Sequence, residues 1–170
     1  MSGWPRTQGP GQLRWLALSA AVIGLDQWSK HLVERSLQMY EAIYCLPVFN
    51  IVRAHNRGAA FSMFDGASGW QRWAFSALAV AISMSLAVWL ARLERRANLQ
   101  AASLALILAG AVGNVVDRLR LGYVVDFLQV HWHEHYFPAF NVADSAITIG
   151  AGCLLLDALL AGRRAAAGGA

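Results

Sequence analysis

Residues 124–145 read VVDFLQVHWHEHYFPAFNVADS, and two aspartates, Asp126 and Asp144, lie on either side of a stretch rich in histidine and aromatic residues. Asp144 precedes the apolar run 146–156, which is typical of a membrane-spanning helix. The segment therefore places two carboxylates at the edge of a bilayer, where ionisable groups are costly and usually functional. Two acids that can share a proton indicate general acid and base catalysis.

The composition indicates an integral membrane protein. Of the 170 residues, 57% are apolar and 14% are charged, whereas soluble domains have about 45–50% apolar and about 25% charged residues. The length suits about four spans of about 20 residues each. The net charge is +4, but the basic residues flank apolar runs and are not interleaved with aromatic residues, so we expect no nucleic-acid partner.

We predict one all-α membrane domain over residues 1–170, with four transmembrane helices and two extracytoplasmic segments. Short β-type runs broken by Pro47 and Asn50 predict a small β-type subdomain between helices 1 and 2. An amphipathic loop is expected between helices 3 and 4. The predicted order is a tail (1–12), helix 1 (13–35), the β-type subdomain (37–69), helix 2 (70–91), helix 3 (99–119), the loop (120–140), helix 4 (141–161) and a tail (162–170).

The distribution of basic residues predicts the orientation of these helices. Lys and Arg are denser on the side that carries both tails and the short turn after helix 2, so we expect both termini to be cytoplasmic. Asn56, Arg118, Asp126 and Asp144 then all lie on the outer side, which favours a site at that face.

Several glycines predict close approach of the backbone. Gly110 and Gly113 in helix 3, and Gly150 and Gly152 in helix 4, are small residues that allow helices to pack closely. Gly58 lies in the segment NRGAAF (56–61), where the pattern alone favours a simple turn, and close approach to a neighbour or a ligand is the alternative.

Polar residues interrupt helices 1 and 3 at helical spacing. Asp26 and Lys30 are four residues apart, so they share a face and can form an ion pair. A structural pair and a role in a site are both open. Asn114 and Arg118 share a face at the end of helix 3, where Asp117 is also consistent with an ordinary interfacial charged cluster.

The two aspartates of the opening segment differ in their surroundings. Asn141 has the character of an N-cap and Asp144 then falls at the third helical position, so Asp144 also suits a capping role, and the positive helix end favours its charge. Asp126 lies among apolar residues, which disfavours ionisation, and it needs a partner. We therefore predict an aspartic-protease pair in which Asp126 holds the shared proton and Asp144 is the base. Arg118 beside Asp126 would reverse these roles.

A zinc site is the main alternative chemistry. HWHEH (131–135) matches the H-x-x-E-H pattern, and on a helix His131 and His135 would share a face and could bind zinc. Such sites draw a further ligand from a later Glu, and here only Asp144 and Asp157 follow. The aspartic pair is therefore favoured. A transporter that uses Asp26 and Asp144 as proton relays and a structural membrane subunit are further alternatives.

Five segments in order give the chain a resemblance to a known family: DQWSK (26–30), NRGAAF (56–61), GNVVDR (113–118), VVDF (124–127) and FNVADS (140–145). With them the chain resembles the lipoprotein signal peptidases, or signal peptidase II family, which are aspartic peptidases of the bacterial cytoplasmic membrane. The resemblance implies Asp126 and Asp144 as the catalytic pair. It implies supporting or substrate-binding roles for Asn56, Gly58, Asn114, Arg118, Asn141, Asp26 and Lys30. The 131–135 run falls in the family's variable loop.

The resemblance also implies a substrate and a location. The substrates would be prolipoproteins that already carry diacylglycerol on a cysteine, cut just before that cysteine. Lipid tails can stay in the bilayer while the scissile bond reaches the acids at its outer edge. We expect a monomeric, multi-pass inner-membrane protein in contact with membrane lipid, with no metal and no organic cofactor.

Overall fold

The computed structural model describes residues 11–57 and 70–168, which form four long helices and one small antiparallel sheet. A short 3-10 turn, Leu13–Trp15, leads into the first helix. The helices are α1 (Leu16–Ser36), α2 (Trp70–Arg92), α3 (Asn98–Arg120) and α4 (Val142–Gly168). The strands are β1 (Ala42–Leu46), β2 (Phe49–Asn56), β3 (Val124–Trp132) and β4 (His135–Tyr136).

Helix α3 is the centre of the bundle, because it packs against α1, α2 and α4. Small residues make this possible. A Cβ added to Gly110 would overlap the carbonyl oxygen of Ala143, and one added to Gly150 would lie 2.7 Å from the carbonyl oxygen of Ser103. The predicted close helix packing is therefore confirmed at these two glycines, where α3 meets α4. The prediction for Gly152 is wrong, since that glycine faces open space.

Three of the described helices are long and apolar enough to cross a membrane: Arg72–Arg92, Asn98–Arg120 and Val142–Ala161. Helix α1 has the length but carries several ionisable residues along it. Of these, Asp26 and Lys30 are 0% and 3% exposed, so their polar groups point into the bundle and away from its surface.

The sheet has the order β1-β2-β3-β4 and is antiparallel throughout. The loop expected between helices 3 and 4 therefore differs from the prediction: it contains two strands, and β3 pairs along β2. The physical reason is that β1 covers one edge of β2 and leaves its other edge with unpaired backbone groups. The apolar sequence that begins β3 fits this central position, since Val124 and Val125 are 2% and 0% exposed.

Two contacts hold the sheet against the start of α4 and the end of α1. The backbone N–H groups of Phe127 and Leu128 both donate to the carbonyl oxygen of Phe140, at 2.9 and 2.8 Å. The side chain of Phe127 packs with Val33 and Leu37 in a small buried cluster. Strand β3 is thus fixed between α1 and the first turn of α4.

Candidate active site

Asp126 occupies the middle of the buried part of β3. It is paired with Ala54 of β2 and is 3% exposed. The Nδ2 group of Asn141 donates to its Oδ1 at 2.7 Å, and the Nδ2 group of Asn56 donates to its Oδ2 at 3.1 Å. Both carboxyl oxygens are therefore held by amides from neighbouring elements, which fixes the orientation of the acid.

Asp144 lies in the first turn of α4, as predicted. Its backbone N–H donates to Oδ1 of Asn141 at 2.9 Å, and its Oδ2 accepts the backbone N–H of Asn141 at 3.2 Å, which together form a capping box. Its Oδ1 accepts a hydrogen bond from Nδ2 of Asn114 at 2.8 Å. Capping thus occupies one oxygen of Asp144, and α3 holds the other.

Asn141 connects the two acids. Besides its bond to Asp126, its Nδ2 group lies 3.3 Å from Oδ1 of Asn114 and 3.3 Å from the carbonyl oxygen of Val125. The side chain is fully buried. Asn114 contacts Asp144, so a continuous set of hydrogen bonds runs from one acid to the other through two asparagines.

Both acids line a single cavity of about 840 Å³. Its polar lining includes Asn56, Asn114, Arg118, Asp126 and Asp144, and its apolar lining includes Phe137, Phe140, Ile147 and Ile149. Phe137 and Ile149 are each 57% exposed. The polar groups therefore gather in one cavity that also has an apolar wall on the outer surface of α4.

The two acids differ in their burial and in the charges around them. Burial, and then the nearby charge of Asp144, raise the pKa of Asp126 from 3.8 to about 7, against the hydrogen bonds from Asn56 and Asn141, which lower it. Asp144 is partly exposed, whereas Asp126 is buried. The guanidinium of Arg118 interacts with Asp144 more strongly than with Asp126. The order of the roles within the pair stays a prediction.

Asp26 and Lys30 form the predicted ion pair, with 2.8 Å between Nζ and Oδ2. Lys30 also pairs with Oδ2 of Asp117 at 2.9 Å and donates to Oδ1 of Asn114 at 3.1 Å. Asp117 is 3% exposed, so the interpretation of this residue as part of an interfacial charged cluster is wrong. Sequence reasoning missed its role, although its three-residue spacing from Asn114 places both on one face of α3.

Gln27 is a second residue of this inner cluster that the sequence did not single out. Its Nε2 group donates to Oδ1 of Asp117 at 2.8 Å and lies 3.2 Å from Oδ2 of Asp26. A polar residue directly after Asp26 in an apolar helix was the available signal, because a buried amide needs partners.

The histidine-rich run does not have the geometry of the alternative zinc site. His131 pairs with Tyr136, and Trp132 pairs with His135, in the β3–β4 ladder. Directly paired residues share a face and successive residues alternate, so His131 and His135 point to opposite faces. Within residues 11–57 and 70–168, no group of three or more His, Cys, Asp or Glu side chains could hold a metal ion.

Gly58, the remaining predicted supporting residue, lies outside the described residues.

Comparison with known proteins shows what the chain resembles. Residues 18–160 match the family model described as signal peptidase (SPase) II. A lipoprotein signal peptidase of Pseudomonas putida KT2440 is 52% identical over 149 residues, covering 86% of this chain and 87% of the relative. The lipoprotein signal peptidase of Pseudomonas aeruginosa PAO1 is 51% identical over 149 residues, with 86% and 88% covered. A bacterial membrane enzyme solved by the in meso method at 2.3 Å is 27% identical, with a TM-score of 0.78 over 86% of this chain and 87% of that one.

Proposed function

This chain belongs to the signal peptidase II family, and we propose that it removes the signal peptide from prolipoproteins that carry diacylglycerol on a cysteine, cutting just before that cysteine. The observation that carries the proposal is the pair of acids in one cavity with an apolar wall. A lipidated substrate suits such a cavity, because acyl chains can lie against α4 while a peptide bond reaches the polar groups.

The pair acts as an aspartic peptidase. Asp144 is the charged partner: it removes a proton from a water molecule, whose oxygen attacks the carbonyl carbon of the scissile bond. Asp126 donates its proton to the carbonyl oxygen. Asp144 then passes its proton to the leaving nitrogen as the C–N bond breaks, and Asp126 recovers its own from the collapsing intermediate. The raised pKa of Asp126 and the helix N-terminus under Asp144 support this division of roles.

The amides and the guanidinium around the pair have supporting roles. Asn141 and Asn56 hold Asp126, and Asn114 holds Asp144. Arg118 lies at the cavity with its charge directed to both acids, where it favours the anionic state of the pair. Gly58 lies two residues after Asn56, and a supporting role for it is inferred from the sequence resemblance alone.

We further infer that α1 is a fourth membrane span. Its polar residues Asp26 and Lys30 neutralise one another inside the bundle. Its outward face presents Leu25, Trp28 and Leu32, which are 52%, 62% and 50% exposed and suit contact with lipid. The distribution of Lys and Arg supports cytoplasmic termini in a bacterial inner membrane, with the site at the outer face. A cysteine placed in either tail should then resist a membrane-impermeant thiol reagent in intact cells.

Cleavage of a defined substrate tests the function. Purified protein in lipid is mixed with a synthetic prolipoprotein peptide whose cysteine carries S-diacylglycerol, and the products are identified by mass spectrometry. We expect a product that begins with the lipidated cysteine. The matched control is the same peptide without the lipid, which we expect to be cut far more slowly. An intact lipidated peptide, or a cut at a different bond, would contradict the proposal.

A further inference from the structure

Lys30 is buried directly behind the candidate catalytic pair and has a complete set of partners. Its ammonium group carries three donors and no acceptor. The three oxygens around it are Oδ2 of Asp26 at 2.8 Å, Oδ2 of Asp117 at 2.9 Å and Oδ1 of Asn114 at 3.1 Å. The side chain is 3% exposed, so water does not replace these contacts. Lys30 thus joins α1 to the residue of α3 that contacts Asp144.

The ammonium group fixes which way the amide of Asn114 points. A donor must face an oxygen, so Oδ1 of Asn114 is turned to Lys30, and Asn141 reinforces this with a second donor to the same oxygen at 3.3 Å. The Nδ2 group of Asn114 is therefore turned to Oδ1 of Asp144, at 2.8 Å. The opposite orientation would place an amide oxygen against a carboxylate and an NH2 group against an ammonium, and both contacts are repulsive.

We propose that Lys30 is a positioning residue of the peptidase: it keeps the amide of Asn114 turned so that a hydrogen-bond donor always faces Asp144, which holds that carboxylate in the charged form needed to activate water. The inference rests on the proposed function and adds a control element to it. Hydrogen bonds to a charged acceptor are among the stronger ones in proteins, and they favour the charged form over the neutral one.

The remaining charged groups around Lys30 define what a test must separate. Asp26 also accepts the backbone N–H of Ala143 at 2.8 Å, and Asp117 accepts the backbone N–H of Val125 at 3.2 Å. These two acids therefore locate the backbone next to Asp144 and Asp126. Lys30 also acts through its charge on both members of the pair. Removal of Lys30 alone would leave two acids without their cation, so a charge-balanced variant is needed.

The variant Lys30→Met/Asp117→Asn removes one positive and one negative charge and keeps an acceptor for the N–H of Val125. Its matched control is Asp117→Asn, which retains the ammonium group and its contact with Asn114. A second control is Ser19→Ala, because Ser19 of α1 is buried and donates to the carbonyl oxygen of Ala105 of α3 at 2.8 Å, far along the helix from the site. Ser19→Ala weakens the same helix pair without touching the cluster.

The measurement is kcat and KM as functions of pH with the lipidated peptide, together with Tm for each protein. In Lys30→Met/Asp117→Asn we expect the acidic limb of the kcat profile to move up by about one to two pH units relative to the unchanged protein, whose cluster carries the same net charge, because Asp144 loses a hydrogen bond made to its charged form. We expect KM to change by less than about threefold, since no substrate contact is removed. Ser19→Ala should lower Tm, and its kcat profile should coincide with that of the unchanged protein.

Three results would overturn the inference. The first is a kcat profile of Lys30→Met/Asp117→Asn that coincides with that of the unchanged protein. The second is an equal shift in Ser19→Ala, because the effect would then follow stability alone. The third concerns folding. If Lys30→Met/Asp117→Asn does not fold, it is replaced by Lys30→Met/Asp117→Asn/Asp26→Asn, which has no charge in the cluster. If neither variant folds, Lys30 is a structural residue and not a positioning residue. Absence of cleavage by the unchanged protein would instead contradict the proposed function.

Discussion

Two pairs of acids are joined through the amide of Asn114, and they differ in the partners that surround them. Asp26 and Asp117 form the inner pair, which shares the ammonium group of Lys30. Asp126 and Asp144 form the outer pair, whose described hydrogen-bond partners are amide and backbone N–H groups. The inner pair is closed in by protein, whereas the outer pair lines a cavity.

The difference shows how the same residue type serves structure in one place and chemistry in another. The carboxylates of the inner pair share one buried ammonium group and so tie α1 to α3. In the outer pair, burial and then the charge of Asp144 raise the pKa of Asp126 to about 7, close to the balance between its two forms. The inner pair should therefore govern stability, and the outer pair should govern activity.

The largest effect should come from the outer pair. Asp126→Asn and Asp144→Asn should each lower kcat by at least about 10³-fold, since each removes a group that moves a proton, and the double variant should be hardly slower than either single one. The measurement is cleavage of the lipidated peptide, with Tm as evidence that each variant is folded. Substantial activity in either single variant would remove the distinction between the two pairs.

The inner pair should show the opposite response, a loss of stability. Asp26→Leu leaves Lys30 short of an acceptor and the backbone N–H of Ala143 without its partner, and breaking a buried ion pair typically costs about 3–5 kcal/mol. Asp26→Asn is the matched control, because its amide oxygen can still accept that N–H. We expect a thermal unfolding series in detergent to rank the unchanged protein above Asp26→Asn, and Asp26→Asn above Asp26→Leu. Equal Tm values for all three would show that the pair is not structural.

The free energy of unfolding of the protein should depend on pH through Asp126, in a defined direction. The folded-state pKa of Asp126, about 7, lies above the ordinary value of 3.8. Proton binding therefore stabilises the folded state: the contribution is complete below about pH 4, declines as the pH rises and is lost above about pH 7. Asp126→Asn cannot ionise, so its free energy of unfolding should exceed that of the unchanged protein by an amount that grows with pH, to at most about 4 kcal/mol.

Thermal unfolding at about pH 5 and about pH 8 measures this difference. The figure is an upper bound because Asp144 shares the proton with Asp126, so the two titrate as a coupled pair. In Asp126→Asn, the side chain of Asn56 must also turn so that its amide oxygen faces the NH2 group of the substituted residue. A gain that is larger at the lower pH would contradict the sign of the pKa shift.

The sequence was sufficient for features that depend on local spacing. The four-residue interval between Asp26 and Lys30 predicted their ion pair, and the three-residue interval between Asn141 and Asp144 predicted the capping box. Both rest on helix geometry, which the chain carries within a few residues.

Features that depend on how distant elements meet were not predictable in this way. The spacing of Asp117 from Asn114 places both on one face of α3, but Asp117 contacts Lys30 only because α1 and α3 pack in one register. Strand β3 was expected to be part of a loop, because its apolar start is followed by a mixed run of His and aromatic residues. It becomes a strand because β2 offers it an unpaired edge, and β2 lies some seventy residues earlier in the chain.

The smallest effect, no change, is expected for metal removal, and it tests whether the outer pair works by proton transfer alone. Amide N–H groups hold oxygens of both acids in place for proton transfer. His131 and His135 point to opposite faces of a hairpin, so they do not share a metal site. Cleavage should therefore continue at an unchanged rate in the presence of a strong chelator, and His131→Ala/His135→Ala should retain it. Phe137→Ala is an informative companion, because Phe137 lines the cavity on the same connection between β3 and α4 and should raise KM for a lipidated peptide. Activity lost on chelation and restored by zinc would mean that the outer pair holds a metal ion. The two pairs would then differ only in the cation they hold, a metal ion in the outer pair and the ammonium group of Lys30 in the inner pair.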